Sequence, residues 1–217
     1  MAKCQAVSPG RKFDQVIRGA TAIFLRDGFA GASVDDIAAE AQVSKATLYS
    51  YFPDKTAMFQ EAMRAEAARL EDGFALDIDT DLSPDQALPL IIAAIAAWMA
   101  DPARINFLRL HLAEAGRCGT PPGGGRDRLV RIIQDAVQPH LDRWAQSGQL
   151  AIEDTGLATR QLVALSLSGI VDGLLFDPRS RMAKADTDVV ARSAAQLFLR
   201  AFMPASPPER RRRAGGQ

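Results

Sequence analysis

The 217-residue chain is 47% hydrophobic, and its 26 basic and 26 acidic side chains leave no formal net charge. A buried core is within reach, and any binding to a polyanion must come from a local basic surface rather than the total charge. Cys4 and Cys118 make neither a disulfide framework nor a zinc spacing, the start "MAKCQAVSPGRKF" lacks the apolar region of a signal peptide, and the longest greasy run, "ALPLIIAAIAAWMA", is shorter than the ~18 residues of a membrane span. A soluble cytoplasmic protein with no membrane partner is expected.

Apolar residues recur at helical spacing almost throughout, and alternating β-type runs are scarce, so the fold class expected is all-α. The first helix spans residues 12–27, with Phe13, Val16, Ile17, Ala20, Ile23 and Phe24 on one stripe, and Gly28 ends it. Ser33 caps a short helix over 34–41, with Asp35 and Asp36 in its first turn. Ser44 caps another that reaches Tyr51. Pro53 stops that helix and Asp54 caps a fourth, which extends to about Phe74. "SPDQ" at Ser83 starts a helix to about Ala100, which Pro89 kinks or delays. "DPAR" at Asp101 opens the next, to about Ala115, and "GRCGTPPGGGR" breaks the chain before a helix over 127–146. Two further helices are expected over 156–175 and 185–202, followed by a disordered basic tail.

The short helices joined by "EAQVS" form a helix-turn-helix candidate, whose second helix would enter the DNA major groove. Ile37, Ala38 and Ala41 can meet Val43, Leu48 and Phe52 on the inner side. Ala46, Thr47 and Ser50 then lie outward, with Lys45 and Tyr49 at the borders, as small and hydrogen-bonding groups suited to base edges. Lys55, the helix starts at Ser33 and Ser44, and the hydroxyls of Tyr49 and Tyr51 suit phosphate oxygens. Tyr51 also has a packing alternative, against the fourth helix.

"SVDDIAAEAQVSKATLYSYFPDKTAMFQEAM", and the wider stretch from Phe13 to Met63, resembles the DNA-binding domain of TetR-family transcriptional regulators. One departure is Gln42, where the family usually places a glycine in the turn; a left-handed backbone there costs another residue roughly 1 kcal/mol. The resemblance implies an all-helical homodimer that pairs through its last two helices and holds an effector pocket. The expected domains are an N-terminal three-helix DNA-binding domain over 1–55, a larger helical regulatory and dimerisation domain over 56–203, and the tail over 204–217.

Trp98, Phe107, His111, Glu114 and Trp144 could line an effector pocket, although core packing serves each of them as well. "GTPPGGGRD" lacks the lysine and hydroxyl residue of a phosphate loop, two histidines are too few for a dinuclear metal bundle, and no nucleophile is paired with a base. No cofactor, metal or catalytic residue is expected. The function expected is a ligand-responsive repressor binding a palindromic double-stranded DNA operator as a homodimer, with a small-molecule effector. Alternatives are an activator, a regulator controlled by another protein, or a helical enzyme with an incidental helix-turn-helix. The run Arg210 to Arg213 could add phosphate contacts or simply be solvated.

Overall fold

The computed structural model describes residues 10–71, 73–118, 125–168, 171–177 and 184–204. Among them there is no strand; the elements are α1 (Arg11–Gly31), α2 (Val34–Glu40), α3 (Lys45–Tyr51), α4 (Lys55–Leu70), α5 (Pro84–Met99), α6 (Pro102–Cys118), α7 (Gly125–Gln146), α8 (Thr155–Leu167), α9 (Val171–Phe176) and α10 (Lys184–Phe202). The proposed disordered tail lies outside the described residues from 205 onward.

Local chemistry sets most of the boundaries. Gly28 breaks α1 with φ 72°, ψ 175°, so regular helix ends at Asp27. Ser33, Ser44, Asp54 and Asp154 each accept a backbone N–H three residues on, at 2.7 to 3.1 Å, which satisfies donors that the first helical turn leaves unpaired. At α5 the Ser83 hydroxyl donates to Gln86 Oε1 at 2.9 Å. Pro89 sits inside that helix without ending it; near the N-terminus only one intrahelical donor is lost.

α6 runs to Cys118, three residues past its expected end at Ala115, and two other elements differ further from the sequence reading. α4 stops at Leu70 instead of reaching Phe74, because Gly73 takes φ 88° and the chain turns there. The helix expected over 156–175 is divided into α8 and α9. Ser166 spends its hydroxyl on the Leu162 carbonyl, and Ser168 leaves helical geometry at ψ 133°. Apolar periodicity carries across such a break, because the interruption comes from poor helix formers and not from a change of pattern.

The chain packs as two compact units. One holds α1 to α4, α6 and the start of α7 through residue 129, and the other holds α5, the rest of α7 and α8 to α10. In the first, α1 packs on α2, α4 and α6, burying Val16, Ala20, Phe24, Ile37, Met58 and Phe107 completely. Arg128 pairs with Glu71 just beyond α4, and Arg104 Nε donates to the Leu70 carbonyl at 3.2 Å, so the end of α4 is held from two directions. In the second unit α5 packs on α8 and α10, and Leu88, Ile91, Ile92 and Ile95 are fully buried. Phe198 of α10 lies 4.7 Å from Phe202, ring to ring, and the Ala151 N–H donates to the Phe202 carbonyl at 2.7 Å, closing α10. Among the described residues no single helix is long and apolar enough to cross a membrane.

Candidate nucleic-acid interface

α2 and α3 are joined by a turn whose hydrogen bonds explain its shape. Gln42 N–H donates to the Ala39 carbonyl at 3.1 Å, and Val43 N–H to the Ala38 carbonyl at 3.0 Å. This is a Schellman closure, with Gln42 in the left-handed region at φ 51°. The position expected to need a left-handed backbone has one, occupied by a residue with a Cβ. Behind the turn, Gly19 of α1 lets the backbone of Ala41 come so close that a Cβ at Gly19 would stand 2.7 Å from Ala41 N. Gly19 was not singled out from the sequence, although a glycine inside an otherwise regular helical run was the available signal.

α3 is anchored by one face. Leu48 is fully buried and Phe52 nearly so, while Ala46, Tyr49 and Ser50 are exposed and Thr47 is half-buried. Phe13 of α1 supports the end of the helix, with its ring centroid 5.6 Å from Tyr51 at 80° and 5.7 Å from Phe52. Tyr51 is thus half-buried, with Phe13 of α1 against its ring.

The polar face is internally ordered. Ser44 Oγ accepts Thr47 N–H at 3.1 Å and is hydrogen-bonded to Thr47 Oγ1 at 2.9 Å, while the Ser50 hydroxyl donates to the Thr47 carbonyl at 2.7 Å. Lys45 Nζ lies 2.6 Å from Asp35 Oδ1, and this hydrogen bond, more than the charge alone, holds the ammonium above its ordinary pKa. Lys55 Nζ stands 4.7 Å from the centre of the Phe29 ring, a cation–π arrangement that fixes where the charge sits. Ser33 accepts Asp36 N–H and donates to Asp36 Oδ2 at 2.6 Å. The exposed face of α3 thus presents Lys45, Ala46, Tyr49 and Ser50, small or hydrogen-bonding groups of the kind that suits base edges and phosphate oxygens.

The profile of the bacterial regulatory proteins, tetR family, matches residues 16–62, and that of the AefR-like transcriptional repressor C-terminal domain matches residues 86–204. The chain belongs to the TetR family of transcriptional regulators. Among its curated relatives is the HTH-type transcriptional repressor AcnR of Corynebacterium diphtheriae, 25% identical over 182 residues, which cover 82% of this chain and 85% of AcnR. The flavonoid-responsive regulator FrrA superposes with a TM-score of 0.69 at 26% identity, over 91% of this chain and all of FrrA. A TetR-family regulator from Mesorhizobium loti shares the fold with a TM-score of 0.66 at 22% identity, over 89% of this chain and 98% of its own. This TetR-family protein is therefore a DNA-binding transcriptional regulator of all-helical fold, and most of α1, all of α2 and α3 and part of α4 lie within the matched N-terminal region.

The five effector-site candidates are divided between the units. Phe107, His111 and Glu114 share α6, where the Phe107 and His111 rings stack at 5.9 Å and Glu114 is buried. Burial lowers the His111 pKa, opposed by Asp127 and aided by Arg126. Trp98 of α5 lies 5.0 Å from Phe74, and Trp144 of α7 is fully buried beside His140, whose pKa burial also lowers. The Trp144 Nε1–H is buried without a hydrogen-bond partner among the described residues. In the same unit an open apolar groove runs between α8 and α10, lined by Ala164, Leu165, Leu197, Phe198, Ala201 and Phe202 beside Gln161 and Ser168. Among the described residues no group of three His, Cys, Asp or Glu side chains could hold a metal ion.

Proposed function

We propose that this regulator is a ligand-responsive repressor that binds a palindromic operator as a homodimer in the cytoplasm. The observation that carries the DNA-docking part is the capped, outward polar face of α3 above a buried Leu48. In this reading Ala46, Thr47 and Ser50 lie against base edges, and Lys45, Tyr49, Tyr51, Lys55 and the helix starts at Ser33 and Ser44 meet phosphates. The DNA-binding segment runs through residue 55 and the regulatory segment from 56 to 203, a functional division distinct from the two packing units.

The groove between α8 and α10 supports pairing of two copies. Leu197 is 55% exposed there, on a face whose neighbours are mostly alanine, leucine and phenylalanine. Repression is supported by the repressor relatives, and a small-molecule effector by the similarity to FrrA, a flavonoid-responsive regulator. The unpartnered indole N–H of Trp144 is a donor that an effector's acceptor could use. An effector releases DNA only by binding more tightly to a conformation in which the two α3 helices no longer match major grooves about 34 Å apart. Gel-shift titration on the operator tests the docking: Thr47→Ala should change base preference, and Tyr49→Phe and Lys55→Ala should weaken cognate and scrambled DNA alike. Tight binding unaffected by all three would refute it.

A further inference from the structure

Phe29 follows the break at Gly28 in α1. On an unbroken helix the side chains of residues 24 and 29 would point about 140° apart. The left-handed φ of 72° at Gly28 instead lets the two rings stack, with centroids 6.2 Å apart and planes at 18°. Phe59 of α4 meets both rings, at 5.1 Å and 90° to Phe24 and at 5.2 Å and 72° to Phe29. Phe24 and Phe59 are buried, so the half-buried ring of Phe29 is set in place by two rings of the core. Lys55 Nζ stands over it, 4.7 Å from the centroid. Lys55 is the first residue of α4, where the positive end of the helix dipole disfavours a cation. Among the described residues no ion pair engages its ammonium, so the π face is what favours one place for the charge. A ring differs here from a carboxylate. It attracts the ammonium from one side without neutralising it, and the N–H groups turned away from the ring stay available.

We infer that Phe29 is a positioning residue for DNA binding: its ring holds Lys55 in the rotamer that meets a phosphate before DNA arrives. This rests on the reading of Lys55 as a phosphate contact. A lysine that samples many rotamers in the free protein binds through the fraction already competent, and its affinity is reduced by that fraction. The ring raises the fraction and stays beside the ammonium when DNA binds, so the gain is rotamer freedom that Lys55 no longer has to give up. An exposed cation–π contact is strong enough to raise it about two- to fivefold. The number of phosphates neutralised is the same with or without the ring, so affinity changes while its salt dependence does not.

The test is a salt titration of DNA binding by wild type, Phe29→Leu, Lys55→Ala and the double variant. The probes are a duplex carrying the operator recovered by genomic footprinting and a scrambled duplex of equal length and composition. Phe29→Leu should weaken binding to both by about two- to fivefold per protomer at an unchanged log–log salt slope, whereas Lys55→Ala should lower the slope by about one per protomer. In the Lys55→Ala background Phe29→Leu should cost nothing further, and Phe29→Tyr should keep wild-type affinity. Thermal unfolding checks that each variant folds. Placing one, two and then three fluorines on the Phe29 ring keeps its shape and drains the negative charge from its face, so this series decides the matter even if Phe29→Leu disturbs the core. Affinity should fall stepwise with fluorine number, and only while Lys55 is present. Unchanged or tighter binding, a loss that persists without Lys55, or a slope lowered by Phe29→Leu overturns the inference. If Lys55→Ala itself left affinity and slope intact, the phosphate reading of Lys55 would fall and the inference with it. That result is distinct from a normal Lys55→Ala loss that is indifferent to the ring, which sinks the inference alone.

Discussion

Alanine at Gly19 should destabilise this protein although alanine is the better helix former. In the interior of a helix, glycine to alanine normally gains roughly 0.8–1 kcal/mol. At Gly19 the new Cβ would lie 2.7 Å from Ala41 Cβ, 2.7 Å from Ala41 N and 2.8 Å from Ala41 Cα. Two of these are backbone atoms at the end of α2, which no rotamer change can move. Overpacking of this kind costs about 1–3 kcal/mol, and a backbone neighbour puts Gly19 at the upper end, so the net loss should be about 1–2 kcal/mol. Gly116 of α6 is the internal control: a Cβ there meets nothing within 4 Å, and Gly116→Ala should gain up to about 1 kcal/mol. Urea denaturation followed by helical circular dichroism, at fixed protein concentration, measures both. Because Ala41 leads directly into the turn at Gln42, Gly19→Ala should also weaken operator binding. Stabilisation by Gly19→Ala equal to that at Gly116 would refute the close approach on which the placement of α2 depends.

Gln42→Gly relieves a left-handed backbone at φ 51° but loosens the unfolded chain, so a net gain of about 0.5 kcal/mol is expected with operator affinity unchanged; a loss on denaturation would show that the turn carries no strain. Leu165→Asp or Leu197→Asp, in the groove between α8 and α10, should yield monomers by sedimentation, and intact dimers from both would discard that pairing surface. His111 and His140 have pKa values lowered by burial, so the folded protein takes up their protons later than the unfolded chain as pH falls. Their contribution is full above about pH 6.5 and is lost as pH falls below it toward the folded values. The melting temperature should therefore drop on acidification from about pH 6.5 to 5.5, and a His111→Gln/His140→Gln variant should drop less. An identical slope in that variant would contradict the assignment.

The head of the molecule was legible because local rules fix it. Ser33, Ser44 and Asp54 cap the helices as read, Pro53 separates α3 from α4, and Gln42 takes the left-handed turn. What escaped reading depends on contacts between distant segments: Gly19 against Ala41, Phe13 beneath Tyr51, Phe29 beneath Lys55, and Asp35 beside Lys45. None of these follows from spacing, since each needs the crossing of two helices to be known first. The division of the helix at Ser168 was missed for the opposite reason, as the apolar pattern is the same on both sides of the break. The effector site is the least legible part, because Trp98, Phe107 and Trp144 are residues that serve a core and a pocket equally well.

The central claim, that α3 carries operator recognition, is tested most directly by genome-wide footprinting of wild type beside Thr47→Ala and Lys55→Ala. The account predicts a palindromic site with half-site centres about one helical turn apart, occupancy reduced by Lys55→Ala, and a base preference altered by Thr47→Ala. An identical footprint from all three proteins would contradict it.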